Sequence, residues 1–210
     1  MVKIITIDGP ASVGKSSLSK KISSYYNSPF LISGKLYRAV ALELKNKKIK
    51  INDKESILKV AKNLTYQAMN SRKLYSSEID KIASKISAKK YLRDQLKSYQ
   101  REFPKKYGKG KEFVIVEGRD IGTEIFPKAK YKIFMWADAK IRAKRRYSQI
   151  IKKGQKASLN RIYDEIISRD TKDLNRKIAP LKPAVNSVLL DTSYLDIEQA
   201  FNAVKNILRQ

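Results

Sequence analysis

The sequence predicts an α/β protein with a central five-stranded parallel sheet and helices on both faces of that sheet. Three observations support this fold class. Five short apolar runs are typical of strands that are buried on both sides. Longer stretches with apolar residues at helical spacing lie between these runs. A glycine-rich motif joins the first predicted strand to the first predicted helix.

Strands and helices alternate along the chain. The predicted strands are residues 2–7, 30–32, 113–116, 131–136 and 188–191. The predicted helices are residues 15–26, 34–48, 53–63, 77–103, 138–153, 158–170 and 196–209. The last helix has a core-facing stripe of apolar residues, namely Ile197, Ala200, Phe201, Val204 and Leu208. Because the elements alternate, we expect parallel strands, with ligands at their carboxyl ends.

Two regions interrupt this alternation within what is predicted to be a single domain over residues 1–210. Residues 50–100 are predicted to be helical without a core strand, which indicates an insert that grips a substrate. Residues 140–176 contain two basic helices joined by the turn 152–156, which predicts a mobile lid over phosphates, with a solvated helical hairpin as the alternative. Arginine forks bind phosphate oxygens bidentately, which favours the lid; its arginines are Arg142, Arg145, Arg146, Arg161, Arg169 and Arg176.

Residues 9–17 read Gly-Pro-Ala-Ser-Val-Gly-Lys-Ser-Ser and match the phosphate-binding pattern G-x-x-x-x-G-K-[ST]. The backbone N–H groups of such a loop surround an anion, Lys15 reaches the β- and γ-phosphates, and the Ser16 hydroxyl ligates Mg²⁺. Asp8, at the end of the preceding strand, is expected to position Ser16 or a metal-bound water. The predicted ATP site consists of Gly9, Pro10, Ala11, Ser12, Val13, Gly14, Lys15, Ser16 and Ser17, with Arg142 and Arg146 from the lid.

The composition limits the chemistry that is available. The chain has 46 basic and 20 acidic residues, a net charge of +26, which attracts polyanions but is also consistent with a lysine-rich surface that has no function. It has no cysteine and no histidine, which excludes disulfides, thiolate metal sites and histidine acid–base catalysis. A metal would be a hard, oxygen-bound ion such as Mg²⁺. No apolar run approaches the length of a membrane span, and the chain opens on a predicted core strand, so we expect a soluble cytoplasmic protein.

Three further motifs narrow the function. Residues 33–38 read Ser-Gly-Lys-Leu-Tyr-Arg, residues 117–123 read Glu-Gly-Arg-Asp-Ile-Gly-Thr, and residues 169–176 read Arg-Asp-Thr-Lys-Asp-Leu-Asn-Arg. In this order around one phosphate loop, the motifs resemble those of the bacterial cytidylate kinases, and the resemblance covers nearly the whole chain. It implies a three-layer P-loop NTPase fold with a small insert that binds a nucleoside monophosphate. It also implies transfer of the γ-phosphate of ATP to CMP or dCMP, with Mg²⁺ as cofactor.

The resemblance implies which residues bind the acceptor. Arg38 and Arg119 match positions that bind its phosphate and, with Lys15, make up the implied catalytic set. Asp120 matches a position that reads cytosine, where a carboxylate would accept a hydrogen bond from the N4 amine. Of the other matching positions, two read the base (Ser84 and Arg93) and three lie near the sugar or phosphate (Arg169, Asp173 and Arg176). The implied CMP site is therefore Ser33, Arg38, Ser84, Arg93, Arg119, Asp120, Arg169, Asp173 and Arg176.

One segment departs from the family pattern. Residues 64–75 are shorter than the corresponding part of the family's long version, and we expect the usual small β-sheet there to be trimmed or replaced. Two alternative functions stay open on the sequence, a related P-loop kinase for UMP or a nucleoside and a basic nucleic-acid-binding NTPase. The basic residues are spread along the chain without a recognised nucleic-acid module, so we expect no specific nucleic-acid partner. We expect no membrane partner, and a monomer.

Overall fold

Five parallel strands form one sheet in a computed structural model that describes residues 2–209, apart from the side chain of Ser77. The strands are β1 (Lys3–Asp8), β2 (Phe30–Ile32), β3 (Phe113–Gly118), β4 (Tyr131–Trp136) and β5 (Val188–Asp191). Their order across the sheet is β2-β3-β1-β4-β5. In the central pair, Asp8 is in register with Gly118, so β1 and β3 end at the same edge. The predicted parallel sheet is confirmed.

The helices connect these strands. They are α1 (Lys15–Tyr25), α2 (Ser33–Asn46), α3 (Lys54–Lys62), α4 (Ser77–Ile86), α5 (Lys90–Tyr107), α6 (Ala139–Ile151), α7 (Leu159–Asn175) and α8 (Ile197–Arg209). The chain divides into two compact units, of which the first comprises residues up to Phe30 and from Tyr107 onward, and the second comprises Leu31–Lys106. The insert predicted at 50–100 falls within the second unit.

The hydrophobic core of the first unit lies between the sheet and two of its helices. Ile5 and Ile7 of β1 and Ile133 of β4 contribute to it, with Leu18 of α1 and Phe201 of α8. Four members of the stripe predicted on the last helix are buried as expected: Ala200, Phe201, Val204 and Leu208. Ile197 is the exception, with 40% of its surface exposed, because it begins α8.

The single helix predicted over 77–103 is wrong. The structure has two helices there, α4 and α5, separated by the turn 87–89. At this turn the Ser87 hydroxyl donates a hydrogen bond to the carbonyl of Ser84, at 2.9 Å. A serine that satisfies a carbonyl in the last turn competes with continuation of the helix, which explains why apolar periodicity alone missed the break.

The short segment 64–75 contains two 3₁₀ turns, Gln67–Asn70 and Arg72–Tyr75. Met69 and Leu74, one in each turn, are buried in the second unit. Within the described chain, no strand occurs between α2 and β3. The structure thus has 3₁₀ turns where we expect the family's small β-sheet to be trimmed or replaced.

The two helices predicted in the basic region 140–176 are present and form a hairpin, and the lid function predicted for this region stays a prediction. Helices α6 and α7 pack through a small apolar cluster that includes Ala143, Ile162 and Ile166. The connecting turn is exposed, and Gly154 in it has a φ of 72°, a left-handed conformation that glycine adopts without strain. None of the helices within residues 2–209 combines the length and the apolar character needed to cross a membrane.

Candidate functional site

The phosphate loop has the geometry that its glycines predict. Gly9 has a φ of 149°, and a Cβ there would lie 2.3 Å from the carbonyl oxygen of Met135, so only glycine fits beside β4. Gly14 has a φ of 102° and precedes the first residue of α1 without a side-chain cap. The N–H groups at the start of α1 are therefore available to an anion, which the positive end of the helix also favours.

Lys15 folds back onto the loop that it follows. Its Nζ donates hydrogen bonds to the carbonyls of Gly9 and Pro10, at 2.8 and 2.7 Å. Only 7% of Lys15 is exposed. Burial, reinforced by the positive charge of Arg119, lowers the pKa of Lys15 well below its usual value, against the opposing effect of Glu117. A polyphosphate bound in the loop would stabilise the charged ammonium.

Ser16 and Glu117 form a pair that the sequence did not reveal. The hydroxyl of Ser16, in the first turn of α1, donates to Oε1 of Glu117 at 2.5 Å, and Glu117 lies near the carboxyl end of β3. Glu117 is buried, and its Oε2 has no hydrogen-bond partner among the described residues. A buried carboxylate oxygen without a partner next to a hydroxyl is a donor set that suits a hard cation, which takes oxygen ligands. The signal that could have found Glu117 is its position at the end of a strand adjacent to β1.

Asp8 is occupied by the backbone of the loop that follows β3. Its two carboxylate oxygens accept hydrogen bonds from the N–H groups of Ile121 and Gly122, at 2.9 and 2.7 Å. A Cβ at Gly122 would lie 3.1 Å from the Thr6 hydroxyl, so a larger residue would fit only if its neighbours shifted by a few tenths of an ångström. Burial, opposed by the two hydrogen bonds, raises the pKa of Asp8 from 3.8 to about 6. Asp8 therefore ties the loop 119–122 to the strand that carries the phosphate loop.

Four predicted acceptor residues of the first unit form one charged cluster. Arg119 Nε donates to Asp173 Oδ2 at 2.9 Å, and Arg176 Nη1 lies 3.6 Å from Asp173 Oδ1. Arg176 Nη2 lies 3.8 Å from Asp120 Oδ1. Burial raises the pKa of Asp173. The positive charges of Arg119, Arg176 and the exposed Arg169 outweigh burial and hold this pKa below its usual value, and Arg119 has the largest effect of the three. With the nearby Arg169, three guanidinium groups surround the two carboxylates, which suits an anionic ligand.

Arg142 supports the phosphate loop from within the protein. It is 2% exposed, and its Nη1 donates to the carbonyl of Ala11 at 3.0 Å and to Asp170 Oδ2 at 2.6 Å. Asp170 in turn accepts a hydrogen bond from the Ala11 N–H at 3.3 Å. One loop residue, Ala11, is thus held at its N–H and at its carbonyl by a buried ion pair between α6 and α7. The predicted direct contact of Arg142 with ATP stays a prediction, and these contacts favour a supporting role.

The other arginines of the hairpin differ in exposure. Arg145 donates to the carbonyls of Thr192, Ser193 and Leu195, which ties α6 to the turn after β5. Arg146 and Arg169 are exposed.

Within the second unit, Ser33 and Arg38 lie on α2. Ser33 is buried, and its hydroxyl has no hydrogen-bond partner among the described residues. Arg38 Nη1 donates to the carbonyl of Leu74 at 3.0 Å and forms an ion pair with Asp80. Both residues lie in the first turns of α2, and the contacts described hold Arg38 there.

The two predicted base-reading residues of the second unit lie on different sides of the helix break. Ser84 is exposed on α4, and Arg93 is 8% exposed on α5. Arg93 Nη1 donates to the carbonyl of Ser87 at 3.1 Å, and its Cζ lies 5.8 Å from the ring centroid of Tyr37. An arginine that is buried and fixed in this way is unusual for a surface helix, and its burial indicates a role beyond solvation.

The sequence model of the cytidylate kinase family matches residues 5–210. The chain belongs to the cytidylate kinase family. The cytidylate kinase of Bartonella tribocorum is 40% identical over 198 residues, which cover 94% of this chain and 90% of the relative. That of Brucella suis biovar 1 is 36% identical over 205 residues, 98% of this chain and 92% of the relative.

Two solved structures share the fold. A protein from Eubacterium ventriosum aligns with a TM-score of 0.56 and 11% identity, covering 100% of this chain and 99% of its own. A protein from Thermus thermophilus aligns with a TM-score of 0.53 and 16% identity, covering 99% of this chain and 98% of its own. At such identities the likeness shows the fold alone, and membership of the cytidylate kinase family rests on the sequence.

The buried ion pair below the phosphate loop predicts a large effect on stability. Replacing Asp170 by alanine leaves the buried Arg142 charge without its partner, and we expect the free energy of unfolding to fall by about 3–5 kcal/mol. The measurement is urea unfolding at pH 7. Asp164→Ala removes an exposed carboxylate from the same helix and should change the stability by no more than about 0.5 kcal/mol. Equal effects of the two substitutions would contradict the structural role of the pair.

The raised pKa of Asp8 predicts a pH dependence of stability. Between about pH 4 and 6 the folded protein holds a proton on Asp8 that the unfolded chain releases, so this group lowers the free energy of unfolding as the pH rises. The difference in unfolding free energy between wild type and Asp8→Asn should fall by about 2–3 kcal/mol from pH 4 to 7. Urea titrations at several pH values measure it, with Asp164→Asn as the control. A constant difference across this range would show that Asp8 titrates normally.

Proposed function

We propose that this protein phosphorylates CMP and dCMP, using ATP as the phosphate donor, and releases CDP or dCDP and ADP. The observation that carries the proposal is the pairing of two loops. The phosphate loop and the loop 118–123 follow adjacent parallel strands, with Asp8 in register with Gly118, and the second loop carries the family's Gly-Arg-Asp motif. A triphosphate in the first loop would therefore lie beside the arginine and aspartate of the second.

For the donor, the proposed contacts are the N–H groups of residues 9–17, the Lys15 ammonium and the exposed Arg146. The oxygens of Ser16 and Glu117 are the proposed protein ligands of Mg²⁺, since one carboxylate oxygen is buried without a partner there. When bound, Mg²⁺ neutralises charge on the donor phosphates. Asp8 is proposed to position the loop 121–122, because both of its oxygens are engaged by backbone N–H groups.

For the acceptor, Arg119 in the first unit and Arg38 in the second are the proposed phosphate contacts. A nucleoside monophosphate is mostly ionised at neutral pH, because its second pKa is about 6. Its phosphate oxygen can therefore attack without a general base, which agrees with a chain that lacks histidine. The residues proposed for the sugar and nearby groups are Arg169, Asp173 and Arg176.

For the base, Asp120 is the proposed discriminator, with Ser84 and Arg93 of the second unit. Its carboxylate would accept a hydrogen bond from the N4 amine of cytosine and repel the carbonyl oxygen that uracil has at this position. Asp120 is 7% exposed and lies near Arg176, so its orientation is restrained before the base binds. This arrangement favours cytosine over uracil by charge rather than by shape.

The alternative functions have less support. The family match covers residues 5–210, and the acceptor motif contains a carboxylate that disfavours uracil. We further propose that the enzyme is a cytoplasmic monomer with no specific nucleic-acid partner. The helical hairpin 140–176 is proposed to close over the donor phosphates.

A panel of acceptors tests both the reaction and the base discriminator. With ATP, the wild-type protein should release ADP rapidly with CMP and dCMP and slowly with UMP, AMP and GMP. Asp120→Asn should reduce the ratio of kcat/KM for CMP over UMP by about 10- to 100-fold, because an amide can also donate to the uracil oxygen. Equal rates with all five acceptors would contradict the proposed function, and an unchanged ratio in the variant would assign base reading to other residues.

Glu117 provides a test of the metal site. Glu117→Gln keeps the size of the side chain and an acceptor for Ser16 but removes the negative charge. We expect the Mg²⁺ concentration that gives half-maximal activity to rise by about 10-fold or more at fixed ATP. Lys20→Gln, an exposed change on α1, is the control. An unaltered Mg²⁺ dependence in the Glu117 variant would exclude this carboxylate as a ligand.

A further inference from the structure

We infer that Asp80, with the carbonyl of Leu74 and the ring of Tyr75, positions the guanidinium of Arg38 for the acceptor phosphate. The inference rests on the proposed function, since it assigns Arg38 to that phosphate. It concerns only the second unit, and it gives a role to the shortened segment 64–75 and to the start of α4. Asp80 is a positioning residue in this scheme and does not touch the substrate.

Three contacts hold Arg38. Its Nη1 donates to the Leu74 carbonyl at 3.0 Å and forms an ion pair with Oδ1 of Asp80. Its Cζ lies 5.3 Å from the centroid of the Tyr75 ring, which is the distance of a cation–π contact. The side chain of Arg38 is only 16% exposed, so these contacts restrict it strongly.

The contacts use one corner of the guanidinium. A guanidinium has five N–H donors, and both polar contacts described for Arg38 engage Nη1. The edge formed by Nε and Nη2 carries the other three donors and is a fork that binds a phosphate bidentately. A carboxylate that competed with the substrate would be expected on that fork. The use of Nη1 therefore favours positioning over competition.

The partners of Arg38 are themselves fixed. Leu74 is fully buried and anchors the 3₁₀ turn Arg72–Tyr75. The Ser76 side chain caps α4 by accepting a hydrogen bond from the Ile79 N–H, and Ile79 is 1% exposed. Asp80 follows directly in the first turn of this helix. A carboxylate on such a rigid turn can hold an arginine without moving itself.

Holding Arg38 in advance reduces the conformational entropy that the side chain loses when the substrate binds. Immobilising one long side chain typically accounts for about a three- to tenfold change in affinity. Loss of the Asp80 charge should therefore weaken CMP binding by about this factor while leaving the ATP side of the reaction unchanged.

The test compares steady-state kinetics of five variants of the full chain. Asp80→Asn should raise the KM for CMP about three- to tenfold, with little change in kcat, in the KM for ATP or in the melting temperature. Asp80→Glu should recover part of the loss, because it restores the carboxylate. Asp94→Asn, which removes an exposed carboxylate paired with Lys90 on α5, is matched in charge and should behave as wild type. Arg38→Ala should raise the KM for CMP, and adding Asp80→Asn to it should have no further effect.

Three results would overturn the inference. A lower KM for CMP in Asp80→Asn would show competition between the carboxylate and the phosphate. An unchanged KM in that variant, with an impaired Arg38→Ala, would show that Arg38 needs no partner. An equal rise of the KM for CMP in Asp94→Asn would show that the effect comes from the net charge of the protein. By contrast, a wild-type protein that does not phosphorylate CMP would refute the proposed function itself. If Asp80→Asn does not fold, Tyr75→Leu replaces it, with an expected change of the same sign.

Discussion

The carboxylate of Asp8 links the two loops that a transfer between phosphates requires. It ends the strand that leads into the phosphate loop, and it accepts both hydrogen bonds from the backbone at residues 121–122. Those bonds stabilise the charged form of this buried group, but burial still disfavours the charge and raises the pKa of Asp8. The loop that carries Arg119 and Asp120 depends on this attachment, because β3 ends at Gly118 and the following turn is a single π-helical turn.

The basic residues of the chain serve at least two physical purposes. Arg142 and Arg145 donate to backbone carbonyls and are structural members of the first unit. Arg119 and Arg176, with the nearby Arg169, outnumber the carboxylates of Asp120 and Asp173 in the acceptor cluster. A guanidinium suits both uses because it keeps its charge when buried and offers several donors in fixed directions. Net charge alone therefore says little about which arginines bind a ligand.

A residue of the site could be predicted from the sequence where its function depends on its neighbours along the chain. The phosphate loop was evident because its function resides in consecutive backbone groups, so that spacing along the chain determines it. The roles of three carboxylates were not evident from the sequence, because each acts through a partner that is distant in sequence. Glu117 pairs with Ser16, Asp170 with Arg142, and Asp80 with Arg38. The break between α4 and α5 was missed for a related reason, since the apolar period continues through it while one serine hydroxyl ends the helix.

The sequence by itself determined the alternation of strands and helices, the parallel sheet, the phosphate loop and the family motifs, because each is written in a short run of residues with a fixed period or spacing. Tertiary structure decided which polar groups are buried and which partners satisfy them. It placed Arg142 inside the protein, oriented both oxygens of Asp8 toward one loop, and left an oxygen of Glu117 without a partner in the described chain. Burial and pairing depend on residues that are distant in sequence and that only folding brings together; Ser16 and Glu117, for example, are 101 positions apart.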